Sequence, residues 1–291
     1  LISSENFTGT GHPVAGMLGN RGWEVVLEDR AFTSEMTALF REDTDLRFSD
    51  VTDLVKGGAL PQVTAKPEKQ DPNTRAALAL AKGARKNRAI PSETGQVANA
   101  SLLTSPEAMP GLTQLIRGAR ESLEIEHMSF PMSWNGAPGG KSPWVQEVLK
   151  AAKRGVNVRV LLNDERTFNP KDPELTANER TVAFLLEEAR CNRLPLDARI
   201  VNVKKVGLTY IHNKGMIADD RRTLVSSING TENSVTNNRE VAVLLDSADA
   251  AAYYGKAFDY DWERSESNER PATVPCSPSV ESWFELGGMF Y

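Results

Sequence analysis

His212, Lys214 and Asp219 fall within a single short run, TYIHNKGMIADD from Thr209 to Asp220, and offer an imidazole, an ammonium and a carboxylate together. His212 is one of only three histidines in the chain. The run reads as a β-strand, and side chains two apart on a strand leave through the same face. His212 and Lys214 are therefore expected to point into one space. A neutral imidazole can attack phosphorus or carry a proton, while an ammonium neutralises phosphate oxygens, so the pair suits a phosphodiester. Asp219 sits five residues past Lys214. It is expected to face elsewhere and brace the turn through backbone hydrogen bonds.

A chain of 291 residues with 40% apolar content can bury a substantial core as one large domain or two medium ones. The net charge of −5 and a pI near 5.5 argue against a surface that coats nucleic acid in bulk, although a local basic groove would survive that average. No run of eighteen apolar residues marks a bilayer span. Cys191 and Cys276 match neither a zinc spacing nor a disulfide scaffold and are expected to be separate thiols, with a single bridge between them as the alternative, which leaves the compartment open.

Two parts of the chain repeat each other. LISSENF at the start matches LVSSING at Leu224–Gly230, and NRGWEVVLED at Asn20–Asp29 matches NREVAVLLDS at Asn238–Ser247. The earlier copy carries a longer loop between its two halves. His212 precedes Leu224 by twelve residues, so the matching histidine is expected twelve residues ahead of Leu1. The opening at Leu1 reads as a cut within the first copy.

Four regions follow from this. Residues 1–45 are the tail of a first repeat, 46–100 a connector, 101–265 a nearly complete second repeat, and 266–291 a C-terminal tail. The connector holds turn signals and one expected helix, DPNTRAALALAKGARKNRA, whose Arg75, Lys82, Arg85, Lys86 and Arg88 read as a solvated basic face. From Ser101 onward strands alternate with helices. Ser142–Pro143 opens one helix and Gly155 stops it, and VNVRVLLND alternates as a buried strand. The fold class is α/β, a mixed β-sheet flanked by helices on both faces and built from a duplicated unit.

The spacing H-x-K-x4-D, followed by SSIN at Ser226–Asn229 and NREV at Asn238–Val241, resembles the phospholipase D superfamily. Ser227, Asn229 and Glu240 lie fifteen, seventeen and twenty-eight residues after His212, as in that family's pattern. The resemblance covers residues 101–263 as one repeat and 1–45 as the remnant of the other.

The resemblance implies roles. His212 would be the histidine of the second motif, acting as general acid toward the leaving oxygen. The first motif's histidine would form a phosphohistidine. Lys214, Asn229 and Ser227 would hold phosphate oxygens, with Ser4 and Asn6 as matching donors from the first copy. Glu240 would accept a hydrogen bond from the far nitrogen of His212 and raise its pKa. No metal or other cofactor is implied. In the first copy Gly22 stands at the place of Glu240, and Glu24, on the same strand face, is the expected substitute. Ser3 and Ser226 replace the glycine common before the phosphate-binding serine. His127 is expected as a hydrogen-bonded strand residue, His12 as a loop residue, and Trp23 and the ending VESWFELGGMFY as packing.

The function expected is a phosphodiesterase working by two in-line displacements, with water or an alcohol as acceptor. The acidic charge and two-copy architecture favour a phospholipid head-group ester as substrate. The alternative is a nuclease, which would need a basic groove at His212 built from Lys204, Lys205, Arg221, Arg222 or the 75–88 helix. An inactive binding module is the non-enzymatic alternative, because one motif cannot complete both displacements. The expected partner is an N-terminal fragment bearing the first motif, or a second chain pairing His212 sites.

Overall fold

The computed structural model describes residues 1–13, 17–49, 51–53, 90–170, 174–266 and 276. Strands β1 (Ile2–Ser3) and β2 (Glu24–Val25) pair antiparallel and lead into helix α1 (Arg30–Asp43). Asp29 starts that helix by accepting from the Phe32 N–H at 2.8 Å. Next come β3 (Asn99–Ser105), α2 (Met109–Gly118), β4 (Ser122–His127), α3 (Pro143–Lys153), β5 (Asn157–Leu162), α4 (Ala177–Asn192) and β6 (Leu196–Ile200). The series closes with α5 (Val203–Val206), β7 (Lys214–Ala218), β8 (Arg222–Ser226), α6 (Glu232–Thr236), β9 (Glu240–Asp246) and α7 (Ala248–Arg264).

Seven strands form one sheet in the order β3-β9-β8-β7-β4-β5-β6. It is parallel across β4-β5-β6 and antiparallel elsewhere. This is the mixed α/β sheet expected from the strand and helix alternation. Both faces are covered, since Ile125, Val158 and Val160 pack with Leu112, Trp144 and Leu185 of the helices on one side. Leu161, Val225 and Val243 pack with Tyr254 and Phe258 of α7, and with Trp23 and Phe32, on the other. Central strands buried on both faces need apolar residues at successive positions, which the run Val160, Leu161, Leu162 supplies.

The N-terminal segment is part of this second layer. Ser4 N–H donates to Trp23 O at 3.0 Å and Trp23 N–H to Ser4 Oγ at 2.9 Å. At the matched positions Ser227 N–H donates to Val241 O at 3.0 Å and Val241 N–H to Ser227 Oγ at 3.1 Å. Trp23 is buried and stacks on Tyr254, with ring centroids 4.7 Å apart. A Cβ on Gly215 would come within 2.4 Å of the Trp23 ring, so the bare residue beside Lys214 is what lets the first segment close onto β7.

Three expectations need correction or fall elsewhere. The strand bearing the chemistry begins only at Lys214, because the backbone just before it pairs with the first segment: Arg21 N–H donates to Tyr210 O at 3.0 Å and His212 N–H to Arg21 O at 2.9 Å. Cys191 and Cys276 form a disulfide, with Cα atoms 5.5 Å apart, where separate thiols were expected. A separation of 85 residues leaves no spacing signature, and only the fold brings the tail to the end of α4. The basic helix of the connector and nearly all of the 266–291 tail lie outside the described residues. Among the described residues no helix is long and apolar enough to cross a membrane.

Candidate active site

His212 and Lys214 converge on a single atom, the carbonyl oxygen of Ser4. His212 Nδ1 lies 2.6 Å from it and Lys214 Nζ 3.4 Å, while the same ammonium also donates to His212 O at 2.5 Å. A carbonyl can only accept, so Nδ1 carries the proton and Nε2 keeps its lone pair. No hydrogen bond to Nε2 occurs among the described residues, and the side chain retains 11% exposure. The ring is thus fixed by one edge and open at the other.

Burial and the neighbouring Lys214 charge hold the His212 imidazole down at about 4, against the pull of the Ser4 carbonyl. It is neutral at neutral pH. Burial pushes the Lys214 ammonium down to about 7, with Glu5 and Glu240 drawing it back up. Glu5, next to Ser4, is lifted by burial to about 7, opposed by the Asn20 amide and by Lys214. Its Oε2 lies 3.5 Å from His212 Nδ1 and accepts from Asn20 Nδ2 at 3.0 Å. Sequence reasoning passed over Glu5. Its signal was available, as a carboxylate within the repeated phosphate-loop motif where the later copy has Ile228.

Glu240 does not hold the ring of His212 as expected. Its carboxylate accepts from Ser227 Oγ at 2.5 Å, from Ser234 Oγ at 2.9 Å and from Asn238 Nδ2 at 3.3 Å. The reason is local: α6 folds the segment between Ser227 and Glu240 back on itself, and its hydroxyls reach the carboxylate first. Glu240 acts on Lys214 only through space. Glu24, the carboxylate expected to serve the first copy's histidine, accepts from Ser3 Oγ at 2.7 Å and pairs with His12 Nε2 at 3.0 Å.

Asp219 stands apart from the chemistry, at the far end of β7. Its carboxylate accepts from the backbone N–H groups of Arg120, Glu121 and Ser122 at 2.9, 2.8 and 3.2 Å, and its own φ is 55°. Burial alone would raise its pKa, but the three amides hold it below the usual carboxylate range. Asp219 braces the turn, as its offset from Lys214 suggested, and the carboxylate of the H-x-K-x4-D spacing takes no place beside His212.

The phosphate-loop residues are placed unevenly. Ser4 Oγ is taken as an acceptor by Trp23 N–H, which leaves its own proton free to donate. Asn6 is exposed. Asn229 donates its backbone N–H to Ser234 Oγ at 3.0 Å, and its side-chain Oδ1 is buried without a partner. His127 is fully buried opposite Lys214, with Nδ1 3.0 Å from Ser129 O, and burial with the Lys214 charge drives it down to about 3. The one cluster of metal-ligand type among the described residues, Glu187 with Cys191 and Cys276, has both sulfurs in the disulfide.

The chain belongs to the phospholipase D superfamily, whose members are phosphodiesterases and transferases. A family model described as cardiolipin synthase, PLD-like domain, matches residues 112–262, just over half of the chain. No curated protein sequence matches it significantly. Among solved structures, it is similar to a phospholipase D family member, Nuc, from Salmonella typhimurium, with 20% identity, a TM-score of 0.46, and coverage of 58% of this chain and 97% of that one. NucT from Helicobacter pylori gives 21% identity, a TM-score of 0.45, and coverage of 58% and 99%. Phosphatidylserine synthase from Haemophilus influenzae gives 15% identity, a TM-score of 0.47, and coverage of 66% of this chain and 45% of that one.

Proposed function

We propose that the protein cleaves or transfers a phosphodiester through Nε2 of His212, with Lys214 holding the phosphate charge. The observation that carries this reading is the 2.6 Å bond from His212 Nδ1 to the Ser4 carbonyl, which leaves a neutral ring whose opposite nitrogen has no hydrogen bond among the described residues. Ser227 and Asn229 lie on the adjoining loop, and of the Asn229 carboxamide it is the Nδ2 group that can donate to a phosphate oxygen.

The reaction takes two displacements. A histidine nitrogen attacks phosphorus, forming an N–P bond as the P–O bond to the leaving group breaks, and the leaving oxygen takes a proton from the other histidine. Water or an alcohol then gives its proton to that second histidine as its oxygen displaces nitrogen. His212 is the proton carrier of the pair. Being neutral at rest, it must first gain a proton, and an anionic diester arriving beside it raises the ring's proton affinity. The partner histidine comes from a first motif, supplied by an upstream segment or by a second copy.

A phospholipid ester fits better than nucleic acid. Of the cations from which a basic groove would be built, Lys205, Arg221 and Arg222 are paired with Glu266, Asp246 and Asp219, while the 75–88 helix lies outside the described residues. Turnover of bis(p-nitrophenyl) phosphate tests the reading, with His212→Ala as control, followed by anionic and zwitterionic phospholipid vesicles and by DNA. Full turnover in His212→Ala contradicts the assignment, and phosphate binding without turnover favours a binding module. Preferred cleavage of DNA favours the nuclease.

A further inference from the structure

Gly22 occupies the position that matches Glu240 in the repeated segments, yet no carboxylate is missing from its surroundings. A Cβ on Gly22 would lie 2.3 Å from Glu5 Cγ and 2.4 Å from Glu5 Oε1. The backbone of Gly22 is not in the left-handed region, so the residue is bare for space and not for conformation. The space is filled by the Glu5 side chain, which is 3% exposed and stands 3.5 Å from the protonated nitrogen of His212.

We propose that Glu5 is the positioning residue for His212, and that Gly22 is the opening that admits its side chain. Glu5 does not touch the reacting atoms. It acts through the ring, whose Nδ1–H is already held by Ser4 O, by offering a second negative group on the same edge when the imidazole turns cationic. Its Oε2 is steadied by Asn20, while Oε1 is buried with no partner, an arrangement that costs stability and is retained against Gly22 all the same. The groups facing Glu5 are Asn20 and His12 in the first-segment loop, Glu24 on β2, Lys214 on β7, and His212 just before it.

This rests on the phosphodiesterase reading, and the experiment separates the two. With bis(p-nitrophenyl) phosphate as substrate, Glu5→Gln is expected to lower kcat by about tenfold to a hundredfold with KM little changed, the scale of a lost aid to proton transfer. It should also remove the acidic limb of the pH profile near 7, which Glu5→Asp keeps. Gly22→Ala should reproduce the loss by evicting the carboxyl group. Wild-type kcat and an unchanged profile in Glu5→Gln overturn the proposal, and wild-type kcat in Gly22→Ala overturns the role of Gly22.

If the wild type turns over no diester, the phosphodiesterase reading falls, and ring ¹⁵N spectra of the ligand-free protein still decide this one. Three histidines make the His212 signals assignable with His212→Ala. Between pH 5 and 9 the Nδ1 resonance of the wild type should follow the ionisation of Glu5, a response reduced in Glu5→Gln. Identical curves for the two proteins refute it.

Discussion

Arg21 and Asp261 close a two-pronged ion pair, Nε to Oδ2 at 2.5 Å and Nη2 to Oδ1 at 2.9 Å, across 240 residues of chain. Arg239 and Asp43 repeat the pairing in reverse, at 3.0 Å. Each acid follows the arginine of its own segment by twenty-two residues, so each segment gives its arginine to the other's acid. Such reciprocity is what a two-fold arrangement of equivalent surfaces produces. The two pairs differ in burial, Asp261 being fully enclosed and Asp43 partly exposed.

That difference sets the first prediction. Asp261→Ala leaves the Arg21 charge buried without its partner and is expected to cost about 3–5 kcal/mol of stability. Asp43→Ala should cost no more than about 1 kcal/mol. Urea denaturation of both variants checks the ranking. Because the Arg21 backbone pairs with Tyr210 and His212, Asp261→Ala should also loosen the approach to the site, and amide exchange at His212 should quicken ahead of global unfolding.

Glu240 holds Ser227 and Ser234, not the imidazole, and its removal should be read in binding. Glu240→Gln keeps the shape but weakens two charge-assisted bonds and frees the loop that carries Asn229. KM for a diester should rise several-fold while the ring titration of His212 stays as in the wild type. A shifted His212 titration with unchanged KM would return Glu240 to the role that spacing alone suggested.

The sheet, its helical cover and the closeness of His212 to Lys214 were legible, the first two from local period, as Val158, Val160 and Leu162 alternate, and the third from adjacency along the chain, since His212 precedes the strand that begins at Lys214. The partners of these groups were not. Whether Glu240 reaches an imidazole or a hydroxyl depends on how α6 folds between them, and spacing along the chain does not encode that. Glu5 was hidden for a related reason. Its role depends on an empty place at Gly22, seventeen residues away, and a missing side chain is visible only once the backbone is folded. Asp219 was read correctly as a brace because an acid just past a strand has backbone amides within reach whatever lies beyond.

The brace makes its own prediction. Asp219→Ala removes three backbone acceptor bonds and should cost about 1–2 kcal/mol, comparable with loss of a helix cap, while kcat stays near that of the wild type. The folded-state pKa of Asp219 is lowered, so the stability it contributes is present above its unfolded value and is lost as the pH falls through the folded one. The gap in stability between variant and wild type should therefore close in acid. A fall in kcat with unchanged stability would move Asp219 into the site.

Lys214 gives stability the same slope with pH, but its charge works against the fold. Its folded pKa of about 7 lies below the ordinary 10.5, so between these values the unfolded chain binds more protons than the native one. Stability must then rise with pH across that window, by about 1.4 kcal/mol for each unit of displacement before structural relaxation reduces it. Lys214→Met removes the buried cation and keeps much of its shape. The variant should melt at a higher temperature than the wild type at pH 7, with the difference shrinking toward pH 10, and should lose turnover because nothing remains to neutralise the phosphate. Activity of the wild type should likewise fall as the pH rises through 7 and the ammonium is lost. Melting curves at pH 7 and 10, set beside kcat across the same range, check both halves. A Lys214→Met protein less stable than the wild type at pH 7 would show that the ammonium is held for the fold and not against it.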